Sequence, residues 1–169
     1  LQGKWGLSSG VFMPVTGPVD PNSLPSTAAA SLEDSASVFL MDIDANSPAR
    51  GKRIPVEVSF DPQADVYVPA HILSALPSPG FVRRPNTLYA LVVTDAVRDS
   101  SGVSLGRSKT FHEAFEGIAG DAETHAHFTA LRAQLTRDEF NSDRVVAATV
   151  FTTADPDVLL KKLAAWGEA

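Results

Sequence analysis

From Leu1 to about Ser108 the chain never sustains a helical hydrophobic period. Pro, Gly, Ser, Asn and Asp recur every several residues, and short runs rich in Val, Ile, Phe and Tyr lie between them. That is the pattern of strands and turns. Parallel neighbours need a crossover of about a dozen or more residues, usually a helix, and no convincing crossover helix interrupts residues 1 to 101, so the strands are expected to pair antiparallel. After Ser108 the pattern turns helical, returns to a β-branched run at Val145–Thr153 (VVAATVFTT), and closes on a last helix. The expected fold is mainly β: an antiparallel β-sandwich with a helical insertion at about 110–140 before its last strand and a C-terminal helix at about 156–167.

Individual segments sharpen this expectation. Val11–Val15 reads as a strand and Thr27–Ser35 as a small, polar loop. Val38–Ile43 is apolar on both faces, which suits the inside of a sandwich. In Ile54–Phe60 the residues Ile54, Val56, Val58 and Phe60 share one face while Glu57 and Ser59 take the other, with Pro55 placing its start near an edge. Val66–Val68 reads as a shorter strand, Ala70–Leu76 as a single helical turn before Pro77, and Leu88–Thr94 as a central strand. Thr110 and Glu113 have capping-box spacing. Asp121–Leu135 carries a stripe of Thr124, Phe128, Leu131 and Leu135, with Arg132 and Arg137 toward solvent and the C-terminal end. Val145–Thr153 should be buried on both faces. Asp155 and Pro156 suit N-cap and first helical position, ahead of an apolar edge of Leu159, Leu163 and Trp166.

The chain has 169 residues, 44% of them hydrophobic, enough for one domain with a substantial core. Its net charge of −6, with both signs interspersed, argues against nucleic acid as a partner, because phosphate contacts need clustered Lys and Arg. No apolar run approaches the roughly 20 residues of a membrane-spanning helix. The absence of cysteine excludes disulfides and thiolate chemistry but leaves the compartment open. A first residue of Leu1 without a basic and apolar leader is expected of a processed product or an excised part of a longer protein.

Several short motifs invite a chemical reading. Gly102-Val103-Ser104-Leu105-Gly106 spells the G-x-S-x-G nucleophile elbow. An elbow needs its serine directly between a parallel strand and a helix, whereas a polar turn separates Thr94 from Ser104 and Gly-Arg-Ser-Lys precedes the next helix. Asp121 with His125 or His127 would have to complete a triad from one helical segment, which does not converge on a serine. Ser104 therefore reads as a hairpin residue, with a small serine hydrolase as the alternative. His125 and His127 project about 200° apart on a helix and cannot chelate one ion together. His112 and Glu116 have i, i+4 spacing but no evident third ligand. Asp42-Ile43-Asp44-Ala45-Asn46 matches the start of a calcium loop, but Ser47 and Arg53 stand where an EF-hand needs Gly and Glu. Asp42, Asp44 and Asn46 remain candidates for an isolated calcium ion, with turn formation as the simpler role. Arg83-Arg84 and Lys161-Lys162 read as solubilising charge. No cofactor is implied.

With the strands placed, the chain resembles the bacterial Ig-like domains of S-layer and cell-envelope proteins, and more specifically the N-terminal Ig-like module of exported hydrolases of the virulence-factor lipase type. The resemblance is carried by Gly17–Leu24, Val38–Asp42, Arg53–Val58, Pro85–Thr94, Arg98–Gly102 and Phe151–Thr153, in that order, and is interrupted by Phe111–Asp143. It implies that Asp99–Gly102 is a hairpin turn and that Tyr89 takes the tyrosine-corner role, its hydroxyl bonded to backbone. It also implies a secreted or cell-envelope location, and a non-catalytic accessory module whose partner is a neighbouring domain of the same polypeptide or another envelope protein. A free-standing adhesion or carbohydrate-binding protein is a further alternative.

Overall fold

The computed structural model describes residues 4–64, 66 and 69–167, apart from the side chains of 159–163 and 167. Seven strands occur among the described residues: β1 (Val11–Pro14), β2 (Val38–Asp42), β3 (Arg53–Ile54), β4 (Val56–Asp61), β5 (Ile72–Pro77), β6 (Leu88–Thr94) and β7 (Val145–Thr152). Three α-helices accompany them: α1 (Lys109–Glu116), α2 (Ala122–Arg137) and α3 (Pro156–Gly167). The strands form a three-stranded sheet, β1-β5-β4, and a four-stranded sheet, β3-β2-β6-β7. Every pairing within both sheets is antiparallel, in line with the absence of α-helices among the described residues between β1 and β6, and β7 pairs antiparallel with β6 although α1 and α2 lie between them.

The two sheets face each other across one core. Val11, Val56, Leu73 and Ala75 of the smaller sheet meet Val38, Leu40, Tyr89, Leu91, Val93 and Phe151 of the larger. The opposite face of the larger sheet, with Phe39, Met41, Ala90, Val92 and Val145, packs under Phe115, Leu131 and Leu135 of α1 and α2. Each fully buried side chain of this size contributes about 1.5–3 kcal/mol of hydrophobic stabilisation. The larger sheet is thus the middle of three layers, which is why β2 and β6 are apolar on both faces. The helical insertion is a lid over that sheet, and its apolar stripe is spent on the core.

Pro55 divides a run predicted as one strand. Arg53 and Ile54 pair with β2, whereas Val56–Asp61 pairs with β5 in the other sheet. Proline has no N–H with which to continue a ladder, so the chain changes sheets there, and the Pro55 carbonyl accepts from the Ser78 amide at 2.9 Å. The loop at Thr27–Ser35 supports the switch: buried Ser31, in a 3₁₀ turn at Ala30–Leu32, accepts the Val56 amide through its hydroxyl at 3.0 Å.

Other expectations are corrected. Ala70–Leu76 is not a helical turn, because Ile72–Pro77 is claimed by ladders on both sides after a left-handed His71 at φ 59°. β7 is the edge of its sheet and is half-buried along Ala147–Val150. The N-cap of α1 is Ser108, whose hydroxyl accepts from the Phe111 amide, rather than Thr110. Arg132 is not on a solvent face; its guanidinium lies 5.8 Å from the Phe115 ring with Nη1 buried. Asp155 does cap α3, accepting the Asp157 amide at 3.0 Å, and Trp166 is exposed. Leu159, Leu163, Lys161 and Lys162 have side chains outside the described part, as do Tyr67 and Val68 of the short strand predicted at Val66–Val68.

Candidate functional site

Ser104 sits in a hairpin built by Asp99. The Asp99 carboxylate accepts the Ser101 and Val103 amides at 2.8 and 2.9 Å, and Gly102 takes φ +80°, a conformation that glycine adopts without strain. Arg98 and Ser104 then form an antiparallel bridge, and Leu105 donates to the Val97 carbonyl. Ser104 is exposed, the preceding strand β6 is antiparallel to both neighbours, and no helix starts until Lys109. His125 and His127 belong to α2, on the far side of the larger sheet from the inter-sheet core.

The Asp42–Ser47 turn uses its carboxylates internally. Asp42 is fully buried; its Oδ1 accepts the Asp44 amide at 3.0 Å and its Oδ2 accepts the Ser47 hydroxyl at 2.5 Å. Asp44 accepts the Asn46 amide at 2.9 Å and, through its other oxygen, the Leu88 amide at 3.1 Å. All four carboxylate oxygens therefore hold protein donors. Burial raises the Asp42 pKa, opposed by the Ser47 hydroxyl and the Asp44 amide.

The histidines are dispersed. Glu116 pairs with Arg107 at 3.4 Å rather than serving His112. His127 lies 3.9 Å from Glu123 along α2, while His125 lines a shallow groove with Ile43, Arg50 and Leu88. Among the described residues no group of three or more His, Cys, Asp or Glu side chains is placed to hold a metal ion.

Arg83 departs most from its sequence reading. It is only 1% exposed, and its guanidinium donates to three backbone carbonyls of the N-terminal segment: Leu7 at 3.0 Å, Gly6 at 2.8 Å and Ser9 at 2.5 Å. Its Cζ lies 4.9 Å from the centre of the Phe151 ring, onto which Trp5 stacks at 4.7 Å. Burial lowers its pKa, and Nη1 has no hydrogen-bond partner among the described residues. Arg83 is a clamp on residues 6–9. Nothing in the local sequence marks it, because its acceptors are main-chain atoms more than seventy positions away. Arg84 next to it contributes its backbone amide to the Tyr89 hydroxyl.

No known protein family matches this chain, and no curated protein does.

Among the described residues no helix is long and apolar enough to cross a membrane. Two surface features bear on binding. A groove of about 310 Å³ lies between β2, β3 and the end of α2, lined by Asp34, Phe39, Arg53, Asp138 and Phe140 among others. Its guanidinium is already engaged, since Arg53 donates to the Glu33 carbonyl and lies 3.9 Å over the Phe39 ring. The second feature is the outer face of the three-stranded sheet. Phe12 is 58% and Leu76 is 44% exposed there, and they converge over Gly10: a Cβ at Gly10 would stand 3.2 Å from both side chains. This arrangement offers apolar contact area rather than a set of convergent reactive groups.

Proposed function

We propose that the chain is a non-catalytic Ig-like accessory module of an exported, cell-envelope type of bacterial protein, which packs against or presents a neighbouring domain. The observation that carries this reading is the unequal covering of the two sheets. The helices cover the outer face of the larger sheet, while the smaller one presents Phe12 and Leu76 side by side to solvent. Clustered exposed apolar side chains are a mark of interaction surfaces. The bond between the Tyr89 hydroxyl and the Arg84 amide adds support, since a tyrosine anchoring backbone at the entry to a central strand recurs in Ig-type sandwiches. Mechanistically, such a module works by burying surface and fixing distance, with no bond made or broken.

The test has two arms. Assaying the chain against a panel of esters should show no hydrolysis; turnover that disappears in Ser104→Ala defeats the proposal in favour of a hydrolase. In the longer polypeptide, Phe12→Ser with Leu76→Ser should uncouple the module from its neighbour, read as loss of a shared melting transition, while the module alone melts as before.

A further inference from the structure

We infer that the outer edge of β7 is a self-association site, pairing with β7 of a second copy of this chain in antiparallel register about Thr149. β7 borders β6 on one side, and among the described residues its other side meets backbone only at Trp5. Trp5 donates to the Thr152 carbonyl at 2.9 Å and accepts from the Ala154 amide at 2.7 Å, whereas Thr153 donates inward to the Thr87 carbonyl. Even-numbered residues at this end therefore aim their backbone groups outward. By strand alternation, Ala148 and Val150 aim their N–H and C=O at the open edge.

Soluble proteins usually protect such an edge with a charge, a proline or a bulge that twists it away. Val145–Thr152, VVAATVFT, has no charge and no proline, and its one register shift lies at the Val93/Thr94 end. The ends of the strand are closed: Arg107 Nε donates to the Val145 carbonyl at 2.8 Å, and Trp5 occupies the Thr152 carbonyl. Among the described residues, what remains is an extended backbone with unpaired donors and acceptors, whose fitting partner is another strand.

The register follows from which groups are unpaired. A twofold centred on Ala148 would need the irregular backbone near Val146, and one centred on Val150 would need the Thr152 carbonyl, which Trp5 holds. Centring on Thr149 uses Ala148 and Val150 alone, each exchanging both bonds with the other residue of the second copy. The two Thr149 residues then face each other as a close pair, and threonine opposite threonine is a favourable cross-strand pair. The result is a continuous eight-stranded sheet. This inference stands apart from the accessory-module reading, since edge pairing leaves Phe12 and Leu76 uncovered and either can fail alone.

Sedimentation velocity over a concentration series up to about 1 mM tests it. The wild-type chain should show a dimer that grows with concentration. Ala148→Pro removes an outward N–H that β6 does not use, so it should weaken association at least about tenfold with unchanged far-UV circular dichroism. Thr149→Lys and Thr149→Asp, each placing like charges opposite one another, should each be monomeric, and mixing the two should restore the dimer. The charge pair keeps the test decisive if Ala148→Pro misfolds. A wild-type chain that stays monomeric throughout, or a Lys/Asp mixture no more associated than its components, overturns the inference.

Discussion

The phenolic oxygen of Tyr89 accepts the backbone amide of Arg84 at 3.0 Å, five residues upstream, and so ties the entry of the central strand β6 to the loop before it. The tyrosine is 1% exposed and its ring faces Phe151 at 6.3 Å, so the bond is made inside the core. Removing the hydroxyl leaves the amide without its acceptor.

Tyr89→Phe should accordingly destabilise the fold by roughly 1–3 kcal/mol at neutral pH, read from urea denaturation. The pH profile gives a second readout. Burial raises the Tyr89 pKa above its ordinary 10.0, so the native state holds the proton more tightly than the unfolded chain. Its contribution is complete below pH 10.0 and is lost as pH rises toward the folded value. The stability gap between wild type and Tyr89→Phe should therefore narrow in alkaline solution.

Arg83 should prove more sensitive still. Arg83→Leu removes the guanidinium from the carbonyls of Gly6, Leu7 and Ser9, of which Leu7 keeps the residue-83 amide at 3.2 Å and Gly6 keeps the Ser9 amide at 3.3 Å; hydrogen bonds to charged groups are worth about 1.5–3 kcal/mol each. Relief from burying an uncompensated cation offsets part of that loss. Hydrogen exchange should show residues 6–10 losing protection before the sheets do. Arg83→Lys should rescue little, because one ammonium cannot reproduce the planar fork. Uniform acceleration across all strands would contradict the clamp.

How much of this was legible in the sequence depends on how local the cause is. The double-sided apolar pattern of Val38–Ile43 and Leu88–Thr94 marked strands buried inside a sandwich, though not the helical layer that covers their second face, and the Asp99–Gly102 turn carried its own chemistry. Pro55 was visible as an edge signal, but that the chain changes sheets there depends on Ser31 and Ser78, residues remote in sequence. Ile72–Pro77 has weak propensity and becomes a strand because β1 and β4 pair with it. Arg83 reads as solubilising surface charge in the sequence, and nothing local marks Gln134 as buried. Both are about 1% exposed because distant backbone and side-chain groups satisfy them. The candidate site divides the same way: the sequence argued against the Ser104 elbow from its spacing, whereas the Phe12–Leu76 pair depends on a ladder register that no local pattern specifies.

Asp42 offers a prediction whose sign follows from burial. Its folded pKa lies above the ordinary 3.8, so its contribution to stability is complete below that value and is lost as pH rises through the folded pKa. Asp42→Asn keeps an oxygen for the Asp44 amide and removes the titration. Wild type should lose ground to Asp42→Asn as pH rises from acid toward neutral, seen as diverging urea midpoints. Calcium should leave both midpoints unmoved, since binding would have to displace the donors from Ser47, Asp44, Asn46 and Leu88.

Gly51 and Gly102 form a controlled comparison that isolates the buried amide of α2. Both adopt a left-handed backbone, at φ +81° and +80°. A Cβ at Gly102 would meet nothing within 4 Å, whereas one at Gly51 would stand 3.0 Å from Nε2 of Gln134. That amide is fixed, accepting from Arg50 Nε at 2.6 Å and donating to Asp138 Oδ1 at 2.8 Å. Alanine at either position incurs the left-handed backbone cost of about 1–2 kcal/mol. At Gly51 it must also push Gln134 off a bond whose loss leaves a buried donor unsatisfied, a further 1–3 kcal/mol or so. Denaturation midpoints should rank wild type above Gly102→Ala and Gly102→Ala above Gly51→Ala. Equal losses in the two variants would mean that Gln134 yields without cost, and that the contact between α2 and the β2–β3 turn is looser than its hydrogen bonds imply.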